Sequence, residues 1–142
     1  MTVTAIHIAS EYGADVRPVT EAEAVAGKGL MGDRYFGTTR QVTIVCRGEL
    51  DRAAADLGGD AIPAGATRRN ITVDLDELPR THGTPLRIGE VELQVWRECT
   101  PCQVMETSVG PGARAALEDR AGISATVVTG GTIRVGDPIV VG

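Results

Sequence analysis

Apolar positions in this chain fall in short runs broken by glycine and proline, which read as short strands with two or three helices. Val3 to Ile8 alternates in part and predicts an opening strand. Gln41 to Cys46 (QVTIVC) is a β-branched run, and Asn70 to Leu75 (NITVDL) reads as another strand. Pro85 to Ile88 and Val91 to Trp96 flank Gly89-Glu90, the pattern of a hairpin with a two-residue turn. Ser124 to Thr129, Thr132 to Val135 and Pro138 to Val141 predict closing strands, separated by Gly130-Gly131 and Gly136-Asp137. Helical signals are fewer. Val19 to Ala26 is rich in Ala and Glu, with Thr20 placed as a cap, and predicts a short helix. Gly27 to Gly32 then suits a tight loop. Glu49 to Leu57 carries Leu50, Ala53, Ala54 and Leu57 at helical spacing and stops at Gly58-Gly59. Pro111 opens a helix expected to reach about Ala121, with Gly122 behind it. Many short strands with few helices predict a mainly β, barrel-like fold rather than a parallel α/β sheet. No repeat, low-complexity tract or linker divides the chain, so residues 1–142 are expected to form one domain.

Composition alters this picture little. Apolar residues are 42% and charged residues 23%, ordinary values for a globular domain. No apolar run approaches the roughly 20 residues that span a bilayer. The first ten residues lack a basic stretch followed by a long apolar one, so no signal peptide and a cytoplasmic location are expected. A net charge of -5 argues against a nucleic-acid surface. The cations are lopsided, with Lys28 the single lysine among 14 basic residues. Codon bias explains such an excess, yet arginine also grips phosphate bidentately.

Chemistry concentrates at three places. Trp96-Arg97-Glu98-Cys99-Thr100-Pro101-Cys102 follows a predicted strand. A lone CxxC has several readings. For zinc, only Cys46, His7 and His82 remain to complete a ligand set. A thioredoxin-like dithiol needs a βαβ context that is missing here. A single functional thiolate suits soft-metal or sulfur chemistry, with the other cysteine merely packed as a small hydrophobe. Arg68-Arg69-Asn70 offers a planar donor array for a phosphate or heterocycle edge, although two solvated arginines on a loop are commoner. Gly32-Asp33-Arg34-Tyr35, with Arg40-Gln41 behind it, supplies either an anion ligand or a structural turn clamp. His7 and His82 lack obvious partners, and Cys46 belongs to a core strand.

These segments together resemble the MOSC domain family, named after the C-terminal domain of molybdenum cofactor sulfurase. The resemblance runs in order through Gly29-Leu30, Gly32-Asp33-Arg34-Tyr35, Arg40-Gln41-Val42-Thr43, Glu49, Arg68-Arg69-Asn70-Ile71, Leu86-Arg87-Ile88-Gly89, Cys99-x-Pro101-Cys102 and Gly130 to Asp137. It implies a β-rich, barrel-like fold and an anionic pterin ligand carrying phosphate, dithiolene and molybdenum. By the same resemblance Cys102 supplies the metal thiolate or sulfur-handling group, with Cys99 beside it. Arg68, Arg69 and Asn70 grip the pterin or its phosphate, and Arg34, Arg40 and Gln41 lie near the same site. Tyr35 departs from the pattern, since the family commonly has His there, which removes the basis for an acid/base role at that position.

Two functions follow from the resemblance. As a molybdenum-dependent oxidoreductase the domain reduces N-hydroxylated substrates, with electrons from a separate reductase. As a carrier it holds a persulfide, supplied by a cysteine desulfurase, or the cofactor itself, without turnover. A small dithiol redox protein using Cys99 and Cys102 is the third class.

Overall fold

The computed structural model describes all 142 residues, Met1–Gly142. An eight-stranded sheet dominates, in the order β11-β7-β8-β9-β5-β6-β1-β2. Its strands are β1 (Val3–Ile8), β2 (Arg17–Val19), β5 (Val42–Cys46), β6 (Ile71–Val73), β7 (Pro85–Ile88), β8 (Val91–Glu98), β9 (Ile123–Thr129) and β11 (Ile139–Val141). A second sheet joins β10 (Gly131–Arg134), β3 (Glu21–Val25) and β4 (Gly29–Leu30). All pairings are antiparallel except β5 with β6. The crossover between those two carries helix α1 (Arg47–Leu57) and a 3-10 turn, Ala64–Thr67.

The predicted mainly β class with a few short helices is what the chain adopts. The large sheet curls until its ends approach. Val3 N donates to Asp137 O (2.9 Å), Gly136 N to Val3 O (2.8 Å), and Thr2 pairs with Pro138 in an isolated bridge. No continuous ladder closes the ring, so the fold is barrel-like only in its curvature. Strand β5 is buried along its whole length because it lies between two cores. Val42, Ile44 and Cys46 face the large cluster inside the curl, with Ile71, Leu93 and Ile123. Val45 faces the smaller cluster, where Leu50 and Ala53 of α1 meet Met105, Ala113 and Leu117. The spacing of Leu50, Ala53 and Ala54 thus forms the helical face expected from the sequence.

Two helical expectations are corrected. Within Val19 to Ala26 the chain forms strand β3, with Ala22 and Ala24 buried and Glu21 and Glu23 exposed. Strict alternation of Glu and Ala has period two, and pairing with β10 and β4 overrides the helix propensity of both residue types. The helix expected over Pro111 to Ala121 shrinks to α3, Ala113–Ala116. Gly112 before it (φ 85°) and Asp119 behind it (φ 61°) are both left-handed, and each bends the chain out of the helical path. A helix that the pattern did not predict, α2 (Gln103–Val109), starts directly after Cys102. Gly27 to Gly32 is a turn that includes the two-residue strand β4. A Cβ on Gly29 would lie 2.6 Å from Gln41 O, so this turn presses onto the chain in front of β5 as only glycine allows.

Candidate functional site

Three segments distant in sequence converge at one end of the curled sheet. The first is the turn Gly32 to Tyr35. The Asp33 side chain is fully buried, and its Oδ1 accepts from Ala9 N (3.1 Å) and Arg34 Nη1 (3.1 Å). Its Oδ2 accepts from Tyr35 N at 3.2 Å. The Arg34 guanidinium stacks 4.4 Å from the centre of the Tyr35 ring, and that of Arg40 lies 5.5 Å from it. Burial pulls the pKa of Arg40 down, but contact with the Tyr35 hydroxyl and the nearby sulfurs outweighs it and the net shift is upward.

The second segment leaves the 3-10 turn through Arg68, a non-glycine residue at φ 62°. Its carbonyl accepts from Arg34 Nη2 (2.8 Å), and its own Nη2 donates to Ala14 O (2.7 Å). Arg69 is 6% exposed, and its guanidinium makes a single hydrogen bond, from Nε to Ala121 O at 2.8 Å. Burial lowers the pKa of this guanidinium, which lies within electrostatic reach of Cys99, Arg40, Tyr35 and Cys102. Arginine still stays protonated in such surroundings, so a charge is held in the protein wall. The third segment is Cys99 to Cys102. Cys99 is buried and tied through its N–H to Gly122 O (2.8 Å), whereas Cys102 is exposed at the start of α2.

Between these segments lies a cavity of about 240 Å³. Arg34, Tyr35, Arg40, Arg68, Arg69 and Cys102 form its wall, completed by Tyr12, Thr67, Thr100, Val104 and Met105. No Asp or Glu lines it, and neither Arg40, Arg68 nor Arg69 has a carboxylate partner anywhere in the molecule.

Three of the residues expected at the site are not on this wall. The Asn70 amide is saturated inside the protein: Oδ1 accepts from Thr43 N (3.0 Å) and Thr43 Oγ1 (3.1 Å), and Nδ2 donates to His7 O (3.1 Å). It pins β1, β5 and β6 together at their site end. Gln41 Oε1 accepts from Val127 N at 3.0 Å and ties the chain before β5 to β9. Cys99 packs behind the wall. Tyr12, Val104 and Met105 were missed from sequence. Tyr12 sits in an irregular loop without periodicity, and the other two belong to the unpredicted helix α2.

A larger hollow, about 450 Å³, lies beside α1 and α3 and is lined by Glu49, Arg52, Asp56, Glu77, Arg80, Glu118, Asp119 and Arg120, with two alanines. Carboxylates outnumber arginines there, and two of the three arginines are in ion pairs. Arg80 pairs with the buried Glu49 (2.9 Å) and with Glu98 (3.6 Å), and Arg120 pairs with Asp56 (2.5 Å).

A curled, mainly β fold carries a cavity walled by arginines with one exposed thiol, and comparison supplies the family. The MOSC domain family matches residues 31–140, and the chain belongs to that family, which is associated with molybdenum cofactor binding. The fold is similar to the YuaD protein from Bacillus subtilis, with a TM-score of 0.83 and 20% identity over 98% of this chain and 94% of that one. YiiM from Geobacillus stearothermophilus (TM-score 0.78, 18% identity, 99% of this chain, 74% of that one) has the same fold. So does YiiM from Escherichia coli (TM-score 0.73, 20% identity, 100% and 70%). No curated protein sequence matches the chain. None of its helices is long and apolar enough to cross a membrane.

Proposed function

We propose that the domain binds molybdenum cofactor in the arginine-walled cavity, with Cys102 as the protein's thiolate ligand to the metal. The carrying observation is the buried Arg69 guanidinium, which faces that cavity beside Cys102 without any carboxylate to neutralise it. A buried charge left unpaired is strongly unfavourable, so the site is built for an anion. The donor set fits the cofactor. Arg40, Arg68 and Arg69 offer forked donors for a phosphate, and Cys102 offers one soft sulfur. No group of three or more His, Cys, Asp or Glu side chains is placed to hold a metal ion. One thiolate therefore suits a metal whose other ligands arrive with an organic group.

When bound, the cofactor supplies oxygen-atom and two-electron chemistry at a soft-ligated metal. The chain's own residues do the rest. Arg68 and Arg69 anchor the anionic end. Tyr35, fixed through its N–H to Asp33, keeps Arg40 at the wall. Cys102, exposed at the cavity, would hold the metal by its thiolate where a second molecule can approach. The activity proposed for the domain, on the strength of the family resemblance, is reduction of N-hydroxylated compounds with electrons from a separate protein. The exposed position of Cys102 supports a second reading, a persulfide or cofactor carrier.

Expression in a host that makes molybdenum cofactor, alongside Cys102→Ala, tests both levels. Near-stoichiometric molybdenum and pterin, with the metal lost from the variant, is the expected result. Folded wild-type protein devoid of both overturns the cofactor reading. Turnover of an amidoxime with a chemical reductant separates enzyme from carrier.

A further inference from the structure

We infer that Arg34 is a positioning residue of the cavity and not one of its anion ligands: it holds the Arg68 turn that aims Arg68 and Arg69 at the bound anion. The inference rests on the reading of the cavity as an anion site. Although Arg34 lines that cavity, its side chain is only 3% exposed and both terminal nitrogens are committed to the protein. Nη1 donates to Asp33 Oδ1 at 3.1 Å and Nη2 to Arg68 O at 2.8 Å. Asp33 in turn is anchored by Ala9 N and Tyr35 N, so the whole clamp is tied to the end of β1.

What the clamp restrains is the peptide following Arg68, a non-glycine residue in the left-handed region (φ 62°). L-residues adopt that conformation reluctantly, and it persists where surrounding contacts over-determine it. Here it decides where three successive side chains go: Arg68 and Arg69 to the cavity, Asn70 into the core against Thr43. An extended backbone at Arg68 would direct the following residues elsewhere. A lysine at position 34 keeps the charge for Asp33, but its single nitrogen lacks the planar fork that spans Asp33 and the Arg68 carbonyl.

Pyrophosphate, titrated calorimetrically into full-length protein from a host that does not make the cofactor, is the probe. The proteins are wild type, Arg34→Lys, Arg68→Gly and the double variant, each with its melting temperature recorded. Wild type is expected to bind, and Arg34→Lys to bind about tenfold more weakly. Glycine adopts positive φ freely, so the backbone of Arg68→Gly needs the clamp less. In that background the same Arg34→Lys change is expected to weaken binding by less than about threefold. A direct ligand would produce equal penalties in both backgrounds, and that result overturns the positioning role while leaving the anion site standing. An Arg34→Lys protein that melts lower but binds normally at a temperature where it is folded overturns it as well. Absence of pyrophosphate binding by folded wild type overturns the anion reading and this inference with it. Should Arg34→Lys alone fail to fold, the double variant against Arg68→Gly carries the test, and a tenfold penalty there overturns the proposal.

Discussion

Two concave regions of this molecule are rich in arginine, and they are built on opposite electrostatic terms. In the larger hollow beside α1 and α3, Arg80 and Arg120 sit in ion pairs with Glu49, Glu98 and Asp56. In the smaller cavity at Cys102, Arg40, Arg68 and Arg69 have no acidic partner. In the first region carboxylates outnumber the arginines they face, while the second carries positive charge that no carboxylate of the protein neutralises. Size and charge therefore single out different regions: the larger hollow is the more acidic, the smaller the more basic. The cysteines differ in exposure as well. Cys102 is exposed at the unbalanced cavity, whereas Cys46 is buried near Glu49, and burial pushes its thiol pKa up to about 12.

The contrast can be attacked at several points. The largest effect belongs to Asp33→Ala, which strips the one buried ion pair that frames the unbalanced cavity. It leaves Arg34 charged and buried, and should destabilise the fold by about 3–5 kcal/mol in denaturant titrations. A loss below 1 kcal/mol would mean the clamp is dispensable. Cys46 comes next. Its folded pKa is raised above the ordinary 9.0, so stability present below that pH is lost as the unfolded thiol ionises. Between pH 9 and 11 wild type should lose about 1.4 kcal/mol per unit relative to Cys46→Ala. Parallel pH profiles for the two proteins would disprove it. In alkylation at neutral pH, Cys102 should react first and Cys46 only on unfolding.

Arg80→Gln tests the larger hollow. It removes the ion-pair partner of Glu49, which is 3% exposed, and should cost about 2 kcal/mol of stability. The smallest change, and of opposite sign, is expected for Arg69→Met in cofactor-free protein. Removing an uncompensated buried cation should leave stability unchanged or raise it by up to about 1 kcal/mol, while pyrophosphate affinity falls at least about tenfold. If Arg69→Met destabilises as much as Arg80→Gln does, the two regions are not different in kind.

Much of this architecture was readable along the chain because neighbouring residues decide it. The β-branched run of Gln41 to Cys46, the Gly89-Glu90 turn and the Leu50, Ala53, Ala54 face each depend on residues a few positions apart. Strand β3 was not readable in this way. Glu and Ala favour helix locally, and only pairing with β10 and β4 makes alternation the better use of Ala22 and Ala24. Of the site, residue types and order were visible: Cys102, and the arginines at 34, 40, 68 and 69. Their division of labour was not. Arg68, Arg69 and Asn70 are adjacent in sequence, yet the left-handed turn at Arg68 leaves two on the cavity wall and one in the core. Sequence alone determined the chemical inventory and the short-range elements, because both are properties of neighbours. Which arginines are neutralised and which face an empty space depended on carboxylates from distant segments being near or absent, and only the folded chain decides that.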